Sequence, residues 1–222
     1  MNDKILIFDI ETAPDLGAVA ALPEPKAPGN LKDPEKIAAA IAEKKSEQLA
    51  NAALDPDTAN ITAIGMAVVD VRDPAQDADK ICAYLVGDEE TPTEATLLMK
   101  FWLTLVQTAG YAAGYNIIGF DLPMLQRRSF ALAVKPGLLS LPAISPAKYR
   151  TQPILDLMGV LYNWDRSRGL KWVCKRYGIP NPLPDLDGSM VGEMDRATLR
   201  KYVANDVNLT IQLYRWMQGV YF

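Results

Sequence analysis

The chain has no histidine, only two cysteines and no apolar run long enough to span a bilayer. Without imidazole, the most common general base and metal ligand is missing, and so are the Ser-His-Asp and Cys-His hydrolase arrangements. Cys82 and Cys174 match no metal or redox spacing, which leaves free thiols in a reducing compartment as the expectation. The opening residues, Met1-Asn2-Asp3-Lys4, lack the apolar core and cleavage site of a signal peptide, so the expected location is cytoplasmic, with no membrane partner. Any catalysis must then run on carboxylates. Carboxylates gathered at one point need hard cations to hold them together.

What is present is the composition of an ordinary globular protein, 49% apolar and 23% charged over 222 residues. The net charge is −4, but it is unevenly spread. Residues 121–176 carry ten Lys/Arg (Arg127, Arg128, Lys135, Lys148, Arg150, Arg166, Arg168, Lys171, Lys175, Arg176) against Asp121, Asp156 and Asp165. Such asymmetry suits contact with phosphates on one side, and equally a solvated basic face.

Ile5-Leu6-Ile7-Phe8 reads as a buried strand, 61–71 and 80–86 as two more, and Tyr111–Tyr115 as a short fourth. Helices are expected over about 94–108, 121–131, 156–164, 169–177 and 196–218. Strands followed by alternating strand and helix imply an α/β sheet covered by helices. The chain reads as a single domain, 1–222, interrupted by a Pro/Ala-rich helical insertion at about 13–60. That insertion holds six prolines bracketing one helix, about 34–53, capped by Asp33 with Pro34 in its first turn. Its apolar stripe is thin, fitting a surface helix or an arm that covers substrate.

Asp9 and Glu11 follow the first strand, and the two-residue period puts both side chains on one face. Two acids there would repel each other unless a divalent cation is bound or the strand simply emerges into solvent. In the last helix, Tyr202 and Asp206 are spaced i and i+4 along the edge of the apolar stripe Leu199, Val203, Val207 and Thr210. Asp206 thus faces the protein, either as a site residue or as the satisfied edge of a core helix. Asp121 follows Asn116-Ile117-Ile118-Gly119-Phe120 and opens a helix, where an Asp is also a natural N-cap. Asp156 in Ile154-Leu155-Asp156-Leu157 reads as another helix N-cap.

Taken in order, Phe8-Asp9-Ile10-Glu11-Thr12, Asn116 through Phe120-Asp121, and Tyr202-Val203-Ala204-Asn205-Asp206 resemble the three motifs of the DEDD exonuclease superfamily. Tyr202, four residues before Asp206, resembles the DEDDy branch. The sister branch uses a histidine that this chain does not have. The Asn-x-x-x-Phe-Asp form is similar to the proofreading domain of family B DNA polymerases, and Asp187-Gly188-Ser189-Met190-Val191 resembles the stand-alone exonucleases related to it. The lysine such a resemblance would place near Asn181-Pro182-Leu183 is absent.

The resemblance implies an RNase H-like fold, a mixed five-stranded sheet flanked by helices. It implies a 3′-5′ exonuclease, a phosphodiester hydrolase releasing 5′-mononucleotides from single-stranded 3′ ends, with DNA as the expected polymer. The implied catalytic residues are Asp9, Glu11, Asp121, Tyr202 and Asp206, the four acids holding two divalent cations, Mg²⁺ or Mn²⁺. Thr12, Asn116 and Phe120 are implied contacts to nucleic acid, and a DNA polymerase or other replication protein is a candidate partner. Two alternatives stay open: an exoribonuclease trimming RNA 3′ ends, and a catalytically silent module binding nucleic acid or the replisome.

Overall fold

Side-chain alternation along the first strand sets up the whole molecule. In β1 (Lys4–Pro14), Ile5 and Ile7 are buried in one apolar cluster, while Phe8 packs on Phe101 from the opposite face of the sheet, ring centroids 4.9 Å apart. Asp9 and Glu11 have the parity of Ile5 and Ile7. They therefore point to the face on which the last helix lies.

The computed structural model describes residues 3–73, 80–138, 144 and 147–222. By contacts the chain divides into two units, one formed by the residues up to Glu11 with Ile61–Phe222, the other by Thr12–Asn60. Five strands form one sheet in the order β3-β2-β1-β4-β5, with β2 at Ala59–Asp70, β3 at Cys82–Leu85, β4 at Ala112–Gly114 and β5 at Ile154–Asp156. The Val71 N–H donates to the Asp3 carbonyl at 2.8 Å and the Thr62 hydroxyl to the Glu11 carbonyl at 3.2 Å, so β2 runs antiparallel to β1. β3 is antiparallel to β2, whereas β4 is parallel to both β1 and β5. The sheet is mixed, as expected.

Two helices, α1 (Leu16–Ala21) and α2 (Pro34–Asn51), belong to the second unit. Asp15 and Asp33 cap them through their side chains, and Pro34 takes the first helical position, where no N–H is needed. α2 buries no residue, consistent with its thin stripe; α1 lies where the sequence suggested no helix. A hydrogen bond from the Thr58 hydroxyl to the Ala52 carbonyl (3.0 Å) and one from the Asp15 N–H to the Thr58 carbonyl (2.7 Å) tie this unit internally.

In the first unit, α3 (Glu94–Val106) starts at a Thr93/Thr96 capping box and buries Leu97, Leu98, Phe101, Trp102 and Leu105. α4 (Asp121–Ala131) packs beside it, and the buried Trp102 indole N–H donates to Ser129 at 2.9 Å. Arg128 of α4 forms a fork on Glu94 of α3 (2.7 and 2.8 Å), while Glu94 also accepts the Ile61 N–H. α5 (Leu157–Leu161) ends earlier than the sequence suggested, because Asn163 and Trp164 turn left-handed (φ 52° and 64°). α6 (Leu170–Arg176) follows, and then α7 (Arg196–Met217), capped by Asp195.

α7 lies on the sheet with no room to spare. A Cβ at Gly65 of β2 would sit 2.6 Å from a Val207 methyl and 2.9 Å from the Val203 carbonyl. Glycine is needed there for close approach rather than for backbone freedom. Among the described residues, no helix is long and apolar enough to cross a membrane.

Candidate active site

Three segments deliver acids to one cavity of about 770 Å³. The parity of β1 aims Asp9 and Glu11 at α7, and the i, i+4 spacing on α7 aims Tyr202 and Asp206 back at β1. Asp9, Glu11 and Asp206 each present a carboxylate oxygen within 4.8 Å of the others. Asp121, Tyr202, Asn116 and Phe120 line the same cavity. Asp121 is the first residue of α4, not its N-cap. The cap position is Phe120, and one Asp121 oxygen accepts the Ile10 N–H at 3.2 Å, tying α4 to β1 between the two β1 acids.

Asp156 holds this arrangement in place. Its buried carboxylate caps α5 through the Gly159 N–H (3.1 Å), as the sequence suggested. It also accepts the N–H groups of Asn116 (3.1 Å) and Ile118 (3.0 Å). Asn116 is left-handed (φ 64°), and those bonds fix the turn that delivers Phe120 and Asp121. Thr12, by contrast, does not line the cavity. It belongs to the second unit, where its hydroxyl donates to the Ala53 carbonyl at 2.6 Å.

Lys171 of α6 has a place that the sequence did not indicate. By charge alone it belongs to a basic stretch that suits phosphate contact or a solvated face. Instead its ammonium donates to the Tyr202 hydroxyl (3.1 Å) and to the Leu186 carbonyl, lies 3.7 Å from Asp206, and sits 4.2 Å from the centre of the Tyr202 ring. Asn181, where a lysine was looked for, accepts a hydrogen bond from the Asn205 amide at 3.0 Å. No local pattern separates Lys171 from Lys175 one turn later, because only the packing of α6 on α7 distinguishes them.

The acids are held in the cavity at mutual cost. Burial raises the Asp9 carboxyl well above its usual range, and Glu11, Asp121 and Asp206 push it further, with Lys171 opposing. Burial and then the Asp206 and Asp121 charges raise Glu11, although a hydrogen bond with Asp9 offsets part of this. Burial also raises Asp206, against the pull of Lys171, and lifts Asp121 to about 7. Hard oxygen donors crowded in this way fit divalent cations, which would remove the repulsion that burial magnifies.

This gives an unusual pH dependence. A carboxyl raised by folding contributes stability that is fully present below its unfolded pKa, near 4, and is lost as pH rises through the folded value. In EDTA the Tm should therefore rise as pH is lowered from 8 to 6, the window around Asp121, with no histidine to confuse the titration. Mg²⁺ or Mn²⁺ should stabilise most at the alkaline end and flatten the slope. A Tm in EDTA that falls on acidification through this window would contradict the assignment.

Comparisons with known proteins bear on the family and the fold. Residues 56–220 match a family model described as a predicted 3′-5′ exonuclease related to the exonuclease domain of PolB. The matched span contains Asp121, Tyr202 and Asp206 but not Asp9 or Glu11, which the fold alone brings to them. No curated protein sequence matches the chain. Among solved structures, a family B DNA polymerase from the hyperthermophilic archaeon Pyrobaculum calidifontis is similar, with a TM-score of 0.60 and 18% identity over 96% of this chain. The chain spans 24% of that polymerase's length. At that identity the likeness carries the fold, an RNase H-like mixed sheet flanked by helices.

Proposed function

This chain belongs to the family of predicted 3′-5′ exonucleases related to the exonuclease domain of PolB, and from that premise we propose that it is a cation-dependent 3′-5′ exonuclease. It releases 5′-mononucleotides from single-stranded ends, with DNA as the polymer. The observation that carries the reading is the convergence of Asp9, Glu11 and Asp206 oxygens within 4.8 Å, in a cavity also lined by Asp121 and Tyr202. A purely structural cluster has no reason to bury so many acids side by side.

Asp9, Glu11, Asp121 and Asp206 would hold two Mg²⁺ or Mn²⁺ ions. When bound, these supply an acidified water and take up charge at the leaving 3′ oxygen. The residues do the remaining work. Tyr202 orients the attacking water by hydrogen bond. Burial, then the charges of Glu11, Asp206 and Asp9, raise its phenol above the ordinary value, so at neutral pH it stays protonated and acts as a positioner, not a base. Lys171 and Asp206 fix its hydroxyl from two sides. Asn116 and Phe120 line the cavity and would meet the terminal nucleotide, with the half-buried Phe120 stacking on its base.

Digestion of 5′-end-labelled single-stranded DNA and RNA tests the reading. With Mg²⁺ or Mn²⁺ the label should shorten one nucleotide at a time, and with EDTA it should not shorten at all. Preference for the RNA strand would make the protein a 3′-end trimming ribonuclease instead. Tight binding of either strand without hydrolysis would make it a silent binding module.

A further inference from the structure

The acidic cavity does not end at the acids. Asn116, Met158 and Ser167 also line a second cavity of about 350 Å³, so the two adjoin across these residues. The second cavity carries Lys148, Arg166 and Trp164. Its floor has no free acid, because the Asp156 carboxylate is engaged by three backbone N–H groups. Trp164 is half-buried, with its indole against Gly159, where a Cβ would come within 2.5 Å of the ring. The left-handed Asn163 and Trp164 turn the chain so that Arg166 stands exposed on the rim. Lys148 is likewise exposed, and among the described residues neither cation is paired with an acid. One exposed acid, Asp165, stands against them.

We infer that this second cavity is the binding site for the nucleotides just upstream of the one being removed, with Lys148 and Arg166 on their phosphates and Trp164 beside a base. The inference rests on the exonuclease reading and extends it to the path of the substrate. A backbone carries one negative charge per nucleotide, so a strand whose 3′ end reaches the acids must bring its next phosphates against nearby cations. An aromatic ring in the same cavity as two cations suits a single strand of any sequence, since every base has a face to stack. The rival exit runs over α6, where Trp172 is half-exposed and Lys175 lies near it, but that cavity shares no lining residue with the acidic one.

The test compares a decathymidylate with the thymidine dinucleotide, the latter lacking the upstream phosphates that Lys148 and Arg166 would hold. In the Lys148→Ala/Arg166→Ala double variant, the kcat/KM preference for the longer strand should fall by about tenfold or more, the scale of a lost charge-assisted hydrogen bond. The salt dependence of decathymidylate binding should weaken by about 1.4 in slope, for two lost phosphate contacts. The Trp172→Ala/Lys175→Ala variant should keep the preference. An unchanged preference in the first variant, or its loss in the second, overturns the inference. If the unaltered protein hydrolyses neither substrate, the exonuclease reading fails. The binding slope then still decides whether the cavity holds a strand.

Discussion

Asp206→Asn is expected to give a folded protein whose hydrolysis rate is lower by about 10³–10⁵-fold, the scale seen when one member of a catalytic unit is removed. The substitution is nearly isosteric and sits on a buried helix position, so α7 should keep its packing. It removes one of three carboxylates whose oxygens lie within 4.8 Å. It also removes a charge that burial disfavours despite the pull of Lys171, so in EDTA its Tm should equal or exceed that of the unaltered protein. Lys171 loses an ionic neighbour but keeps the Tyr202 hydroxyl and the Leu186 carbonyl. Single-turnover digestion beside a melting curve separates the two effects. A rate within about tenfold of the original would show that Asp206 is not part of the reacting group.

Tyr202→Phe should cost about 10²–10³-fold in rate while leaving Mn²⁺ affinity nearly unchanged, as expected for one catalytic hydrogen bond lost outside the carboxylate triad. The phenylalanine ring would still offer Lys171 a face, so α6 should stay docked. Because the phenol is held above its ordinary pKa, the unaltered protein should show no gain in rate near pH 10 that could be ascribed to tyrosinate. Calorimetry showing collapsed cation binding in the variant, or an unaffected rate, would remove Tyr202 from the role of water positioner.

The parts of this site that could be read from sequence are those governed by local periodicity. Period two put Asp9 and Glu11 on one face, and the i, i+4 spacing did the same for Tyr202 and Asp206. Asp121 was ambiguous by local rules, and only the backbone of α4 shows that it is the first helical residue and not the cap. β5 is not legible in the sequence because three residues, Ile154–Asp156, carry too little pattern to separate a strand from the start of a helix. Two of Asp156's three hydrogen bonds reach residues 38 and 40 positions back in the chain, beyond any local signal. The place of Lys171 is hidden from the sequence for the same reason, since its partners on α7 lie far along the chain. No local pattern signals that the Thr12 hydroxyl donates to the Ala53 carbonyl, 41 positions along the chain.

Gly65 shows how far from its chemistry a site can be vulnerable. The separation between the acid on the last helix and the two on the first strand is set by van der Waals contact, with Val203 and Val207 resting on a residue that has no side chain. A single methyl group there would lift α7, and with it Asp206 and Tyr202, without altering any atom that lines the cleft. In a survey of inactivating substitutions, this interior glycine would thus score beside the acids. A map drawn from such scores alone would place the active site partly inside the hydrophobic core. Telling the two kinds of loss apart requires a cation-binding measurement on each inactive variant, since the lifted helix changes the spacing of the ligands and leaves their identity intact.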